Sequence, residues 1–329
     1  MPLRILFAGS PEIAVPALEA VLGLCQTGAG FELAGLLTNP DSAKGRSGKP
    51  EPTDCAAALA GSPQAAGIPI LKPEKLDPEA RAQVQALRPD LLLSFAYGKI
   101  FGPKFLGLFP LGGINVHPSL LPKYRGPTPI PAAIINRETE TGITIQRLAE
   151  EMDAGDILAQ EKLKLDGRET TAGLGKTMAE KAALMLPALL GEMANGAQGR
   201  PQNHGEASYC RLIAKADGLI DWNAAAEEID AKIRAYTPWP LSWTAHGGLQ
   251  LVVLKAEPLA QSFAPGSGPE PGRQTLPGTV LGKDPNKGIL VQTGDGVLAV
   301  SELKYQTKKA LEWKVFLNGA RNFIGGRLG

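Results

Sequence analysis

The feature that most constrains the fold is the short run of residues 90–96, which reads Asp-Leu-Leu-Leu-Ser-Phe-Ala. The run is apolar through its middle and too short for a typical helix, which indicates a strand buried on both faces of a sheet. Strand patterns alternate with helical patterns before it, at residues 3–8, 12–24, 31–38, 53–66, 68–71 and 78–87. This alternation predicts an α/β fold with a Rossmann-like, mostly parallel sheet.

Candidate catalytic groups lie in residues 112–126, where Ile114 and Val116 predict a short buried strand over residues 113–117. Side chains alternate along a strand, so Asn115 and His117 project to the same face, at the carboxyl end where open α/β sheets bind ligands. An imidazole suits proton transfer near neutrality, and a carboxamide can donate to a developing oxyanion. Either residue alone is more often structural, but the pair favours acid–base and oxyanion chemistry.

The segment Asn-Val-His-Pro-Ser-Leu-Leu-Pro-Lys-Tyr-Arg-Gly at residues 115–126 resembles the signature of the folate-dependent formyltransferases. The resemblance implies that Asn115, His117 and a later Asp surround the formyl group. It assigns the Asp to Asp153, in an acidic turn that on composition alone would face solvent. It also implies 10-formyltetrahydrofolate as co-substrate and no metal ion. The residues expected to hold the co-substrate are Ser119, Leu120, Leu121 and Pro122.

The sequence pattern of the chain changes after a polar stretch at residues 196–208. We predict a catalytic domain over residues 1–195, ending in a strand hairpin at 141–148 and 157–165 and a helix at 170–195. Residues 196–208 are predicted to be a linker. Short strand patterns with turns between them then predict a small, OB-like β-barrel over residues 209–329. A Pro/Gly/Ser-rich insertion interrupts the barrel at 261–277.

The sequence of residues 233–243, Ile-Arg-Ala-Tyr-Thr-Pro-Trp-Pro-Leu-Ser-Trp, resembles the carboxyl-terminal domain of those formyltransferases that act on methionyl-tRNA. This implies formyl transfer to the α-amine of methionine on initiator tRNA in translation initiation, with the barrel binding tRNA. Two other activities stay open, an amino-sugar nucleotide N-formyltransferase and a formyltetrahydrofolate hydrolase. A non-catalytic RNA-binding module is disfavoured, since a pure binder has no need of Asn115 and His117 together.

Net charge is only +1, so a tRNA site must be a local basic patch. The loop at residues 39–54 carries Lys44, Arg46 and Lys49, and the resemblance makes Arg46 the direct contact. Three scattered cysteines indicate a reducing compartment, and three dispersed histidines do not suggest a metal centre. With no apolar run of membrane-spanning length, we expect a cytoplasmic monomer.

Overall fold

The computed structural model describes residues 1–43, 48–259, 275–320 and 322–329. The chain divides into two compact units. The first unit comprises Met1–Pro129, Glu140–Lys164 and Gly175–Arg211, and the second comprises Ile130–Thr139, Leu165–Leu174 and Leu212–Gly329. Among the described residues, no helix is both long enough and apolar enough to cross a membrane.

The first unit is built on a mixed sheet. Its strands are β1 (Leu3–Gly9), β2 (Phe31–Leu37), β3 (Ser42–Ala43), β4 (Pro50–Glu51), β5 (Ile70–Leu71), β6 (Leu91–Phe95), β7 (Gly113–His117), β8 (Glu140–Arg147) and β9 (Ile157–Lys164). Seven of these, in the order β5-β2-β1-β6-β7-β8-β9, form the main sheet. Strands β5, β2, β1, β6 and β7 pair in parallel, and β8 and β9 add an antiparallel hairpin. The predicted α/β class and its added hairpin are therefore confirmed.

Helices connect the strands. The helices up to residue 194 are α1 (Val15–Gln26), α2 (Asp54–Gly61), α3 (Pro78–Ala86), α4 (Pro103–Leu106), α5 (Pro129–Ile135) and α6 (Thr171–Ala194), with 3-10 turns at Glu12–Ala14 and Pro63–Ala65. Helix α2 begins where the Thr53 side chain accepts from the N–H of Ala56, and α3 where the Asp77 side chain accepts from the N–H of Ala80. These side chains satisfy amide groups that a helix start leaves unpaired.

The central position of β6 follows from its sequence, since every residue of Leu91–Phe95 is buried. Leu92 packs in a cluster with residues of β1 and β2 and with Phe101, Phe105 and Phe109. A strand flanked by β1 and β7 and covered on both faces needs apolar side chains in both directions, which explains its unbroken leucine run.

The loop predicted at residues 39–54 contains the short β3–β4 hairpin before α2 begins. Its base is tied to the carboxyl edge of the sheet, because the Asn39 amide donates to Ser10 Oγ at 3.0 Å and to the Tyr97 carbonyl at 2.8 Å. Ser10 follows β1 directly, and Tyr97 lies two residues after the end of β6. Lys49 is exposed beside β4, while Lys44 and Arg46 lie outside the described residues.

The second unit carries an antiparallel, barrel-like sheet, as predicted. Its strands are β10 (Ser242–His246), β11 (Leu249–Leu259), β12 (Val280–Asp284), β13 (Gly288–Gln292), β14 (Val297–Tyr305) and β15 (Leu311–Glu312). They pair in the order β10-β11-β14-β13-β12, and β15 pairs with β14. Helices α7 (Ala226–Ala235) and α8 (Trp313–Gly319) complete the unit, and Ile229, Ile233 and Phe316 pack into its core. The insertion predicted at 261–277 lies outside the described residues up to residue 274.

The segment predicted as a linker, residues 196–208, lies within the first unit. The N–H of Arg200 donates to the carbonyl of Ile157 at 2.9 Å and the reverse bond is 2.8 Å, so the segment pairs with the start of β9. A 3-10 turn follows at His204–Glu206. Gln202, between these features, is buried. Its polar composition suggested a solvated connection, and most of its side chains are exposed, but its backbone pairs with β9 and its Gln202 side chain is buried in the first unit.

Candidate active site

The imidazole of His117 is enclosed at the carboxyl end of β7. Its exposed fraction is 3%. Nε2 lies 2.9 Å from the carbonyl oxygen of Tyr124, and Nδ1 lies 3.5 Å from Oδ2 of Asp153. A carbonyl can only accept, so Nε2 carries a hydrogen, and a second proton on Nδ1 would lie between the ring and the carboxylate. The ring is therefore arranged to exchange a proton with Asp153.

Opposing influences act on the pKa of His117. Burial lowers the pKa of the imidazole below its ordinary value, because the charged form loses its hydration. The Asp153 carboxylate and the hydrogen bond to Tyr124 raise it, but they do not offset burial. The neutral form of the His117 ring therefore predominates near pH 7, and the nearby Asp153 carboxylate favours protonation of the ring.

Asp153 occupies a tight turn between β8 and β9, with its backbone in the left-handed region at φ 54°. Asp is one of the few non-glycine residues that adopt this conformation readily. Its Oδ2 accepts from the N–H of Gly126 at 2.8 Å, and its Oδ1 accepts from Nε2 of Gln146 at 2.8 Å. The predicted acidic residue is therefore turned towards His117 rather than towards solvent, with two donors fixing its carboxylate.

Gly126 is required at this position for space. Its φ is 115°, and a Cβ there would lie 2.3 Å from the carbonyl oxygen of Cys210. Any side chain would displace the backbone N–H that Asp153 accepts from. The Arg-Gly end of the signature thus orients the carboxylate directly.

Asn115 precedes His117 by two residues on β7 and projects to the same face. It pairs across the ladder with Ser94 of β6 and Gln146 of β8. Its side chain is half-buried, and its amide forms no hydrogen bond with any residue that the structure describes. The donor is therefore available to a bound molecule.

The loop after β7 contains the residues predicted to contact the co-substrate, Ser119, Leu120, Leu121 and Pro122. Ser119 is fully buried, its hydroxyl donates to the Lys123 carbonyl at 2.6 Å, and its carbonyl accepts from Thr144 Oγ1 at 2.7 Å. Leu121 is also buried; its N–H donates to Thr144 Oγ1 at 3.1 Å and its carbonyl accepts from Gln160 at 2.9 Å. These polar groups hold the loop in shape.

Leu120 is half-buried and packs against Gly142 of β8, where a Cβ would lie 2.5 Å from Leu120 Cδ2. Pro122 is half-buried as well, and its carbonyl accepts from the N–H of Ser208 at 3.3 Å. Leu120 and Pro122 therefore offer partly exposed apolar surface, which suits the wall of a pocket for a flat, largely apolar ring, whereas the Leu121 side chain is only 3% exposed.

The sequence did not point to Gln146, Gln202 or the buried Arg125 as part of this site. Gln146 and Gln202 are 1% and 6% exposed, and Arg125 is 1% exposed. Arg125 lies in the signature at residues 115–126 but was given no role there, and Gln146 left a signal because Thr144 and Gln146 occupy the face of β8 opposite Ile143 and Ile145. The structure shows that this polar face is buried, with Gln146 bonded to Asp153 and Thr144 bonded to the loop after β7.

Comparisons with known proteins find similar proteins along most of the chain. Residues 3–190 match the family described as "Formyl transferase", and residues 212–321 match "Formyl transferase, C-terminal domain". A protein of Treponema denticola named "Methionyl-tRNA formyltransferase" is 46% identical over 329 residues, which cover 98% of this chain and 99% of that protein.

Two solved structures share the fold. An N-formyltransferase from Helicobacter canadensis, in complex with folinic acid and dTDP-3-aminofucose, has a TM-score of 0.62 and 18% identity, covering 91% of this chain and 99% of its own. HypX from Aquifex aeolicus, in complex with tetrahydrofolic acid, has a TM-score of 0.60 and 16% identity. The match to HypX covers 98% of this chain but 48% of that protein.

Proposed function

The chain belongs to the formyl transferase family, among the methionyl-tRNA formyltransferases, and we propose that it transfers a formyl group from 10-formyltetrahydrofolate to the α-amine of methionyl initiator tRNA. The observation that carries the proposal is the buried contact of His117 with Asp153 beside the unpartnered amide of Asn115. A relative that matches along nearly the whole chain supports the choice of acceptor.

Asn115 acts on the oxyanion. When the amine attacks the formyl carbon, the former carbonyl oxygen becomes negatively charged. A positioned donor that meets this charge typically contributes ~3–4 kcal/mol to the transition state. The Asn115 amide has no protein acceptor that would compete for its hydrogens among the described residues.

His117 and Asp153 handle the protons. The attacking amine loses a proton as its new C–N bond forms, and the leaving nitrogen of the folate gains one as its bond to carbon breaks. The pair accepts the first proton between Nδ1 and Oδ2 and returns one to the leaving nitrogen, so the net reaction conserves protons. These steps need no covalent enzyme intermediate and no metal ion.

The co-substrate lies, in this proposal, against Leu120 and Leu121, with Ser119 and Pro122 holding the loop. The internal hydrogen bonds of the loop support this division, because they leave mainly apolar surface for the ligand. Lys49, Lys44 and Arg46 receive the acceptor end of the tRNA. Support comes from the anchoring of the β3–β4 hairpin at the carboxyl edge of the sheet, the edge at which β7 also ends.

One assay tests the reaction and its rivals. The enzyme with formyl-labelled 10-formyltetrahydrofolate should produce formylmethionyl-tRNA and tetrahydrofolate in equal amounts, and His117→Ala should bind folate normally but transfer no formyl group. Transfer to a dTDP-amino sugar in place of methionyl-tRNA, or release of formate without any amine, would overturn the proposal. Because initiator tRNA is used in translation, we place the reaction in the cytoplasm. We also propose a monomer, which light scattering would check.

A further inference from the structure

We propose that Gln146 and Gln202 are positioning residues for Asp153, and that the buried Arg125 determines which way both amides face. The inference rests on the proposed function only for its rate readout. The observation behind it is a continuous chain of hydrogen bonds within the first unit, from the guanidinium of Arg125 to the carboxylate beside His117.

Arg125 begins the chain as a group that can only donate. Nε and Nη2 donate to Oε1 of Gln202 at 3.2 and 2.9 Å. The remaining N–H groups of the guanidinium meet Glu151 Oε1 and Tyr209 OH at 3.3 Å each and His204 Nδ1 at 3.2 Å. Each N–H of the guanidinium therefore has an acceptor, so the group is held without an unpaired donor.

Gln202 transmits this polarity. Because two Arg125 donors occupy its oxygen, its NH2 group must face the other way. The two hydrogens of that group point to the carbonyls of Asp153 at 2.8 Å and Gly155 at 2.7 Å, and the longer 3.2 Å contact with Oε1 of Gln146 shares one of them. Gln202 thus ties the backbone of the catalytic turn and fixes the next amide in the chain.

Gln146 delivers the donor to the site. Its NH2 group faces Oδ1 of Asp153 at 2.8 Å, because a carboxylate oxygen only accepts, while its oxygen makes the longer contact with Gln202. The reverse orientation would place an amide oxygen against a carboxylate oxygen and would leave a buried donor unpaired, which is costly. Oδ1 is thereby occupied, and Oδ2 is left to the Gly126 N–H and to His117.

This arrangement explains why a cation is buried near the site, with a side chain that is only 1% exposed. An Asp carboxylate can rotate about its side-chain bonds, and a rotation would break the 3.5 Å contact with His117. Donors of fixed polarity on Oδ1 oppose that rotation. Arg125, Gln202 and Gln146 therefore act through Asp153 and are not themselves catalytic residues.

The test is Gln146→Met, which keeps the length of the side chain but removes its donor. We expect kcat to fall on the order of 10- to 100-fold, the effect of losing a hydrogen bond to a charged group, with KM for both substrates unchanged. Gln198→Met is the matched control, because Gln198 is exposed and, among the residues that the structure describes, its side chain bonds only to the nearby Gly196 carbonyl. It should leave kcat and KM at wild-type values.

A readout that needs no activity is the titration of His117, followed by NMR on histidine-labelled protein. If Asp153 swings away in Gln146→Met, the carboxylate no longer raises the pKa of His117, and its titration midpoint moves to lower pH. Gln202→Met should shift it in the same direction. The double variant should lose little more than either single one, since both act through the same contact.

Additive losses in the double variant, or a His117 midpoint equal to that of Gln198→Met, would overturn the proposal. The titration also separates it from the proposed function. A wild-type protein that formylates no methionyl-tRNA would refute the function, whereas the NMR shifts would still decide the positioning role.

Discussion

Nδ1 of His117 lies 3.5 Å from Oδ2 of Asp153, and the two residues reach this distance from separate elements, the end of β7 and the turn between β8 and β9. The antiparallel pairing of β7 with β8 brings them together, since it sets His117 opposite Thr144 and Asn115 opposite Gln146. The signature strand alone would present an imidazole with no carboxylate. The added hairpin supplies the acid and completes the pair.

Asp153→Asn keeps the size of the side chain and removes its charge. The transfer rate should fall by about 10²- to 10⁴-fold, the usual range for acid–base catalysis. The pKa of His117 should also fall further, because burial continues to lower it and the carboxylate that raised it is gone. Single-turnover kinetics and an NMR titration measure the two effects. Glu150→Gln, in the exposed part of the same turn, is the control. If Asp153→Asn kept the same transfer rate as this control, Asp153 would be only a turn residue.

His117 should make the folded protein sensitive to acid. Its folded-state pKa lies below the unfolded value of about 6.5, so the unfolded chain binds the proton more readily. Above that pH, this titration leaves the free energy of unfolding unchanged. Below it, the free energy of unfolding falls as the pH falls, until the folded ring is also protonated. The total loss is about 1.4 kcal/mol for each unit by which folding lowers the pKa. Urea unfolding at about pH 7.5 and about pH 5.5 measures the loss, and wild type should lose more stability between the two pH values than His117→Asn. Equal losses of stability in the two proteins would contradict the assignment of this acid sensitivity to His117.

Asn115→Leu removes the donor proposed for the oxyanion. We expect kcat to fall about 10²- to 10³-fold. The melting temperature should change little, because the amide forms no hydrogen bond with the described protein that the substitution would break. Thermal unfolding and single-turnover transfer, measured on the same preparation, separate the two effects. A large loss of stability with normal transfer would show that the amide is structural.

Arg46→Ala tests the acceptor contact. Transfer to methionyl-tRNA should fall by about tenfold to a hundredfold, as for the loss of a direct contact of 1–3 kcal/mol, while folate binding is retained. Lys308 is an exposed basic residue in the turn after β14, within the barrel that is expected to bind tRNA. Lys308→Ala should instead weaken tRNA binding uniformly and reduce its salt dependence by about one unit of slope. A salt series of binding and transfer measures both. Unchanged transfer by Arg46→Ala would favour a small acceptor over tRNA.

Much of the fold followed from local pattern. The strand predicted at residues 113–117 is β7 to the residue, and the apolar run at 90–96 is the buried β6. Such segments are predictable because burial on one or both faces imposes a period on the sequence. In the second unit the pattern was weaker: the short strand β15, directly before α8, has two residues and is too short to show a period. Pairing with β14 decided that conformation.

The sequence by itself determined the sheet, the strand that carries Asn115 and His117, and the chemistry those side chains can perform. Only the tertiary structure decided how the Asp153 carboxylate is held. Gln202 bonds to the Asp153 carbonyl from 49 residues away, and Arg125 bonds to Gln202 from 77 residues away. No period or spacing encodes such contacts, because each hydrogen bond depends on where the folded backbone places two distant groups. A polar segment that reads as a linker became part of the site for the same physical reason: its amides found buried partners that only the folded chain provides.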